Sequence, residues 1–326
     1  MKTIRVAYGQ PLQLPASACA IGYFDGLHKG HQQLIETAVK TARENGIQSA
    51  VLTFDPDPWK VLRPDADLSH MTDLQDKEKL LASMGVDQFL VVEFTREFAG
   101  LSVDAFHEFL HDLHIDYLIC GFDYSYGARG AGNVNTLKQT DLFVTDVISE
   151  ISEEAQKISS TRIEKLIREG EIEKANELLG YMYSLKGKVV HGYERGRVMG
   201  FPTANLDYSR ESILPARGVY AGYLLVDGQL YPAMINVGKN PTFQNKEVSV
   251  EAYAIDAKFD LYDKEVRFFF ATRLRPEKKF ASVDELKAQL THDARATVPA
   301  LKPYLPALAR TAKLWSLGAL DDILKQ

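Results

Sequence analysis

At 326 residues the chain exceeds the length at which one hydrophobic core keeps growing, so two domains of ordinary size are expected. Its 45% hydrophobic and 25% charged residues, with 13 prolines, exclude disordered and collagen-like classes. A net charge of −6 has the wrong sign for binding nucleic acid through the overall field, and no apolar run approaches the length of a membrane span.

The opening MKTIRVAYGQPLQLP lacks the apolar stretch of a secretory leader, so a cytoplasmic location is the default. No nucleic-acid or membrane partner is expected, and a monomer or transient oligomer suffices. Cys19 and Cys120 each sit inside a short apolar run, which reads as two buried strand thiols rather than a disulfide or metal pair.

From Ala16 to about Ile148 the runs SACAIGY, QSAVLTF, QFLVV, DYLIC and DLFVTDV alternate with helical patterns, the order of repeated βαβ units on a parallel sheet. Leu34, Ile35, Ala38, Val39 and Ala42 share one face of the first helix, which should end near Gly46. In SVDAFHEFLHDL, Ser102 is the N-cap and Ala105, Phe106, Phe109, Leu110 and Leu113 face inward. Between the first strand and the first helix stands Gly22-Tyr23-Phe24-Asp25-Gly26-Leu27-His28-Lys29-Gly30-His31. Its glycines let backbone approach a ligand, the helix start offers N–H groups to a phosphate, and the two imidazoles can donate hydrogen bonds as charge builds on it. Singly these residues are ordinary turn chemistry; the combination points to a nucleotide site.

STRIEKLIREG and EIEKANELLG then read as two short helices, each closing on glycine, and beyond Tyr181 the texture turns β-rich. The boundary is placed there, giving domains 1–182 and 183–326. KGKVVHG, GVYAGYLLVDGQLYPAMINVG, VSVEAYAID and KEVRFFFATRLR are strands, with a hairpin turn at Asp227-Gly228, and suggest a small antiparallel barrel. A helix from Ser282 to Thr297 should pack on it, and one or two short helices follow Pro303. In GRVMGFPTAN, Thr203 and Asn205 are two apart, so an extended chain points both oxygens the same way, where they can ligate a hard cation carrying nucleotide phosphates. Arg195 and Arg197 are placed to approach those phosphates.

The first motif resembles the HxGH nucleotidyltransferases, and the longer match resembles the FAD synthetase module of bifunctional riboflavin kinase/FAD synthetases. Thr53-Phe54-Asp55-Pro56-Asp57-Pro58, Gly121-Phe122-Asp123-Tyr124-Ser125-Tyr126-Gly127 and Ile158-Ser159-Ser160-Thr161-Arg162-Ile163 extend it. The resemblance implies an α/β fold: an N-terminal Rossmann-like domain with a parallel sheet, then a C-terminal antiparallel β-barrel kinase with a flanking helix. It implies that His28 and His31 are catalytic, that Gly22, Phe24, Asp25, Gly26, Ser159, Ser160, Thr161 and Arg162 bind ATP, and that Asp123 and Tyr124 bind flavin. Tyr23, Asp57 and Glu164 depart from the family pattern, where asparagine, histidine and arginine are usual.

The second motif resembles riboflavin kinase. That likeness makes Glu251 the general base, Thr203 and Asn205 the Mg²⁺ ligands, Gly187, Lys188, Arg197, Gly200 and Pro202 ATP contacts, and Arg275 and Phe280 the flavin border. Riboflavin, FMN and ATP are then substrates, with riboflavin phosphorylated in the second domain and FMN adenylylated in the first. Two alternatives are a kinase whose nucleotidyltransferase half is weak or altered, and a non-enzymatic flavin-binding protein.

Overall fold

The computed structural model describes residues 1–66, 68–153, 156–191, 200–243, 246–257 and 261–318, without the side chains of 240–247. Two compact units emerge, Met1–Ser160 and Thr161–Gln326.

The first unit is built on six parallel strands: β1 (Lys2–Val6), β2 (Ser17–Ile21), β3 (Gln48–Asp55), β4 (Gln88–Glu93), β5 (Ile115–Gly121) and β6 (Val144–Ile148). They lie in the order β1-β4-β3-β2-β5-β6. β2 is buried along its whole length, as an unbroken apolar run demands of a strand covered on both faces. The chain leaves β2 for β3 on one side and reaches β5 on the other, so the strand order reverses between β2 and β5, where open α/β sheets form their ligand crevice.

Helix α1 (Lys29–Asn45) buries the five predicted apolar residues and ends on Gly46 at φ 66°. After α2 (Leu74–Ser83), helix α3 (Val103–Asp112) is capped by Ser102 Oγ, which accepts from Ala105 N at 3.1 Å. Strand β1 went unread because only Val6 of KTIRV is buried; an edge strand need not carry an apolar run.

In the second unit, α4 (Ser160–Glu169, its first residue belonging to the first unit) and α5 (Ile172–Leu179) precede the barrel. Asn176 of α5 donates to Phe270 O at 2.8 Å and accepts from Tyr183 N at 2.7 Å. That anchorage explains why the second compact unit begins ahead of the textural change at 182. Strands β7 (Ser184–Val190), β8 (Ala204–Tyr208), β9 (Gly218–Val226), β10 (Gln229–Phe243), β11 (Lys246–Ala254) and β12 (Glu265–Pro276) close a barrel in the order β7-β8-β11-β10-β9-β12, every neighbour antiparallel. Asp227 (φ 50°) and Gly228 (φ 79°) form the β9–β10 turn, both left-handed as a tight hairpin requires.

Helix α6 (Val283–Leu301), capped by Ser282, runs past the predicted Thr297. The tail after Pro303 forms α7 (Leu305–Leu314), whose Thr311 Oγ1 accepts from Met182 N at 2.9 Å just ahead of β7. Beyond α7, Trp315 lies on one face of β12, edge-on to Phe269 at 6.0 Å and under the Arg267 guanidinium at 4.0 Å. Arg267 and Phe269 are two apart on β12 and so share that face.

Candidate functional site

Leaving β2, the chain turns into α1 through three left-handed residues, Phe24 (φ 56°), Gly26 (φ 73°) and Leu27 (φ 35°). Two of these carry side chains, so surrounding contacts must hold them. Thr53 Oγ1 donates to Tyr23 O at 3.0 Å, and Gly26 N donates to Thr72 Oγ1 at 2.9 Å. The Asp25 carboxylate accepts from Met71 N at 3.0 Å and Thr72 N at 3.1 Å, while Ser160 Oγ donates to Asp25 O at 3.1 Å.

This turn sets the two histidines. His28 is the N-cap of α1, its Nδ1 accepting from His31 N at 3.3 Å, which leaves the ring proton on Nε2. The two imidazoles stack 3.6 Å apart at 16°, with the Phe24 ring edge-on to His31. Burial pushes the His28 pKa down to about 4. Burial, then the His28 ring, hold His31 well below the usual histidine range. Its Nδ1 is buried with no hydrogen-bond partner among the described residues.

Beside them opens a cleft of about 250 Å³. The ends of β5 and β6 and the segment before α4 supply Gly121, Phe122, Asp123, Glu150, Lys157, Ser159 and Ser160 to its walls. Lys157 pairs with Asp123 and lies 4.8 Å over the Phe122 ring. Four separate stretches of sequence thus meet at the strand-order reversal between β2 and β5.

His28, His31, Asp123, Ser159 and Ser160 come together here. Asp25 does not line the cleft, because its carboxylate is engaged by Met71 and Thr72. Gly22 accommodates Phe24, whose ring a Cβ would meet at 3.2 Å. Tyr124 packs against the apolar core, leaving Phe122 at the cleft. Thr161 and Arg162 continue α4 within the second unit. Sequence reasoning quoted Phe122 within a motif without giving it a role and passed over Lys157; a lysine two residues before the Ser-Ser pair was the available signal.

Two departures have local explanations. Asp57 caps a short helix through Trp59 N at 2.6 Å, and His70 stands between it and Tyr23, Nε2 3.6 Å from Asp57 Oδ2 and Nδ1 3.5 Å from Tyr23 Oη. Glu164 pairs with Arg168 one turn along α4 at 2.9 Å.

On the barrel, β8 pairs with β11 so that Asn205 lies opposite Glu251. Thr203 Oγ1 donates to Glu251 Oε2 at 3.0 Å, and Ser249 Oγ donates to Oε1 at 3.3 Å. Thr203, Asn205 and Glu251 therefore form one oxygen-rich group. Gly200 turns at φ 89°, and Pro202 is exposed. Lys188 is an exposed residue of β7; Gly187 beside it is required by packing, since a Cβ would meet Asp207 O at 2.2 Å. Arg195 and Arg197 lie outside the described residues. Arg275 ion-pairs with buried Asp293 of α6 at 2.7 Å, fastening that helix to β12, and its guanidinium lies 5.7 Å over the Phe280 ring.

A single carboxylate with two neutral oxygens suits a hard cation that arrives with phosphate ligands of its own. Among the described residues there is no cluster of three or more His, Cys, Asp or Glu side chains to hold a metal alone.

Comparison with known proteins returns two families, FAD synthetase over residues 11–162 and riboflavin kinase over residues 179–301. The bifunctional riboflavin kinase/FMN adenylyltransferase of Listeria monocytogenes is 42% identical over 85% of this chain and 90% of its own. That of Bacillus subtilis is 36% identical over 91% and 98%. A crystal structure from Streptococcus pneumoniae, described as a macrolide-efflux protein, superposes with a TM-score of 0.84 at 34% identity, covering 90% of this chain and 98% of that one. No helix among the described residues of the present chain is long and apolar enough to cross a membrane.

Proposed function

We infer the division of labour from one premise: this chain belongs to the bifunctional riboflavin kinase/FMN adenylyltransferase family. The domain that the sequence bounds at 1–182 makes FAD and pyrophosphate from FMN and ATP. The domain bounded at 183–326 makes FMN and ADP from riboflavin and ATP.

In the first reaction an FMN phosphate oxygen attacks the α-phosphorus of ATP and the bond to pyrophosphate breaks. Neutral His28 keeps its Nε2–H as a donor, and the His31 ring stacks beside it in the cleft wall. Both act where negative charge gathers. Ser159, Ser160 and Lys157 add donors from the opposite wall, and Asp123 with Phe122 borders the flavin. The carrying observation is the stacked histidine pair set into the cleft at the strand-order reversal.

In the second reaction Glu251 accepts the proton of the ribityl 5′-hydroxyl as that oxygen attacks the γ-phosphorus. Thr203 and Asn205 are the residues to hold Mg²⁺, which when bound offsets the phosphate charge. Lys188, Gly200, Pro202 and Arg197 border the nucleotide. Two free, buried cysteines suit the reducing cytoplasm.

Incubating the chain with riboflavin, ATP and Mg²⁺ and separating the flavins over time tests both halves. FMN appearing first and FAD after it is expected. FMN alone, even when FMN is supplied, would reject the adenylyltransferase reading and leave the kinase.

A further inference from the structure

Lys77 is a lysine in the interior of the first unit, only 3% exposed, on α2 and outside the cleft walls. Its Nζ donates to Tyr23 O at 2.7 Å and lies 3.9 Å from the centroid of the Tyr23 ring. That carbonyl immediately precedes the left-handed Phe24, and Thr53 Oγ1 is its other donor. The far side of the turn is held separately, by Thr72 on Gly26 N and by the Met71–Thr72 backbone on Asp25. An ammonium is expensive to bury, and methionine would fill the same space without that cost. Its presence there calls for a use.

We propose that Lys77 is a positioning residue for nucleotidyl transfer: by gripping the Tyr23 carbonyl it holds the strained turn that sets His28 and His31 at the cleft. The inference rests on the adenylyltransferase reading above. Lys77 touches no substrate and acts through the backbone. The charged groups facing it are Asp25 from the turn, Asp55 and Asp57 from the end of β3 and beyond, and Asp73 at the cap of α2, and its field is felt at His31. Burial brings the lysine down to about 8 despite those carboxylates, so within a range where the enzyme can be assayed its charge-assisted hydrogen bond to Tyr23 O gives way to the weaker one of a neutral amine.

The test compares wild type, K77R and K77M, measuring FAD formation from FMN and ATP between pH 6.5 and 10, with FMN formation from riboflavin as the control. In the wild type, kcat for FAD formation should fall above about pH 8. K77R keeps its charge throughout and should move that decline upward by at least about one pH unit. K77M should lower kcat about a hundredfold, with the KM for ATP changed less than about threefold and FMN formation intact. A wild-type profile flat to pH 10, a K77R decline at the wild-type pH, a folded but inactive K77R, or K77M at wild-type kcat would each overturn the proposal. If K77M does not fold, the K77R profile decides alone. A wild type that makes no FAD at any pH refutes the adenylyltransferase reading itself, a result distinct from all of these.

Discussion

Acidification should destabilise the first unit through the histidine pair. His28 is 5% exposed, and burial holds its pKa near 4 in the fold. The unfolded chain takes up that proton near pH 6.5. Between those values the unfolded state binds more protons, so stability is full above pH 6.5 and falls as pH drops toward 4. From pH 7.5 to 5.0 the His28 contribution is about 2 kcal/mol, roughly 1.5 pK units at about 1.4 kcal/mol each. Protonation at Nδ1 would also break the cap on α1, because that nitrogen accepts His31 N–H. Histidine labelled with carbon-13 allows NMR titration of the ring, and urea unfolding followed on the same resonances gives stability at both pH values. His28→Asn keeps a capping acceptor and removes the titration. The wild type should lose about 2 kcal/mol more than this variant on going to pH 5.0. A His28 resonance titrating near 6.5, or parallel losses in the two proteins, would refute the reasoning.

His31→Ala should cost FAD formation at least about a hundredfold while riboflavin phosphorylation continues, both read by chromatography. Glu251→Ala should do the reverse, lowering FMN formation by about 10²–10⁴ and sparing FAD formation from supplied FMN. Loss of both activities in either folded variant would end the assignment of separate sites. Gly187→Ala drives a Cβ into Asp207 O and should part β7 from β8, costing about 3 kcal/mol or more and FMN formation with it, measured by thermal melting and assay. Trp315→Ala, which uncovers Phe269 and Arg267, should cost about 3–5 kcal/mol in barrel stability by denaturant unfolding.

Periodicity carried most of the fold. The apolar face of α1, the Ser102 and Ser282 caps and the Asp227-Gly228 turn are local, and local signals need no tertiary knowledge. β1 escaped because an edge strand buries one side chain. The candidate site was legible to the extent that its motif residues meet in space, His28, His31 and Ser160 at one cleft and Thr203 with Glu251 on the barrel. Asp25, Tyr124 and Gly187 mark the limit: a motif residue can serve the scaffold, because the turn, the core and the strand crossing need side chains of fixed size as much as a ligand does. Lys77 could not have been singled out from sequence, since a lysine on an amphipathic helix ordinarily faces water.

Glu164 shows how a departure from a family pattern is settled by charge accounting in space. A carboxylate where a guanidinium is usual reverses one local charge, yet Arg168 neutralises it within α4. Both partners are substantially exposed, so the pair adds little to stability and neither charge projects far through water. Lys157 is also paired, with Asp123, but it stands in the cleft wall and its field depresses both His28 and His31. If cleft cations rather than helix-surface charges govern polyphosphate binding, Lys157→Gln should raise the KM for ATP or FMN in FAD formation by about 10–100-fold, the worth of a charge-assisted hydrogen bond of about 1.5–3 kcal/mol. Glu164→Gln should change the same constants less than about threefold. Steady-state kinetics on the two variants separates the possibilities: a large effect at Glu164 with none at Lys157 would place the deciding charge on α4 and remove Lys157 from the site.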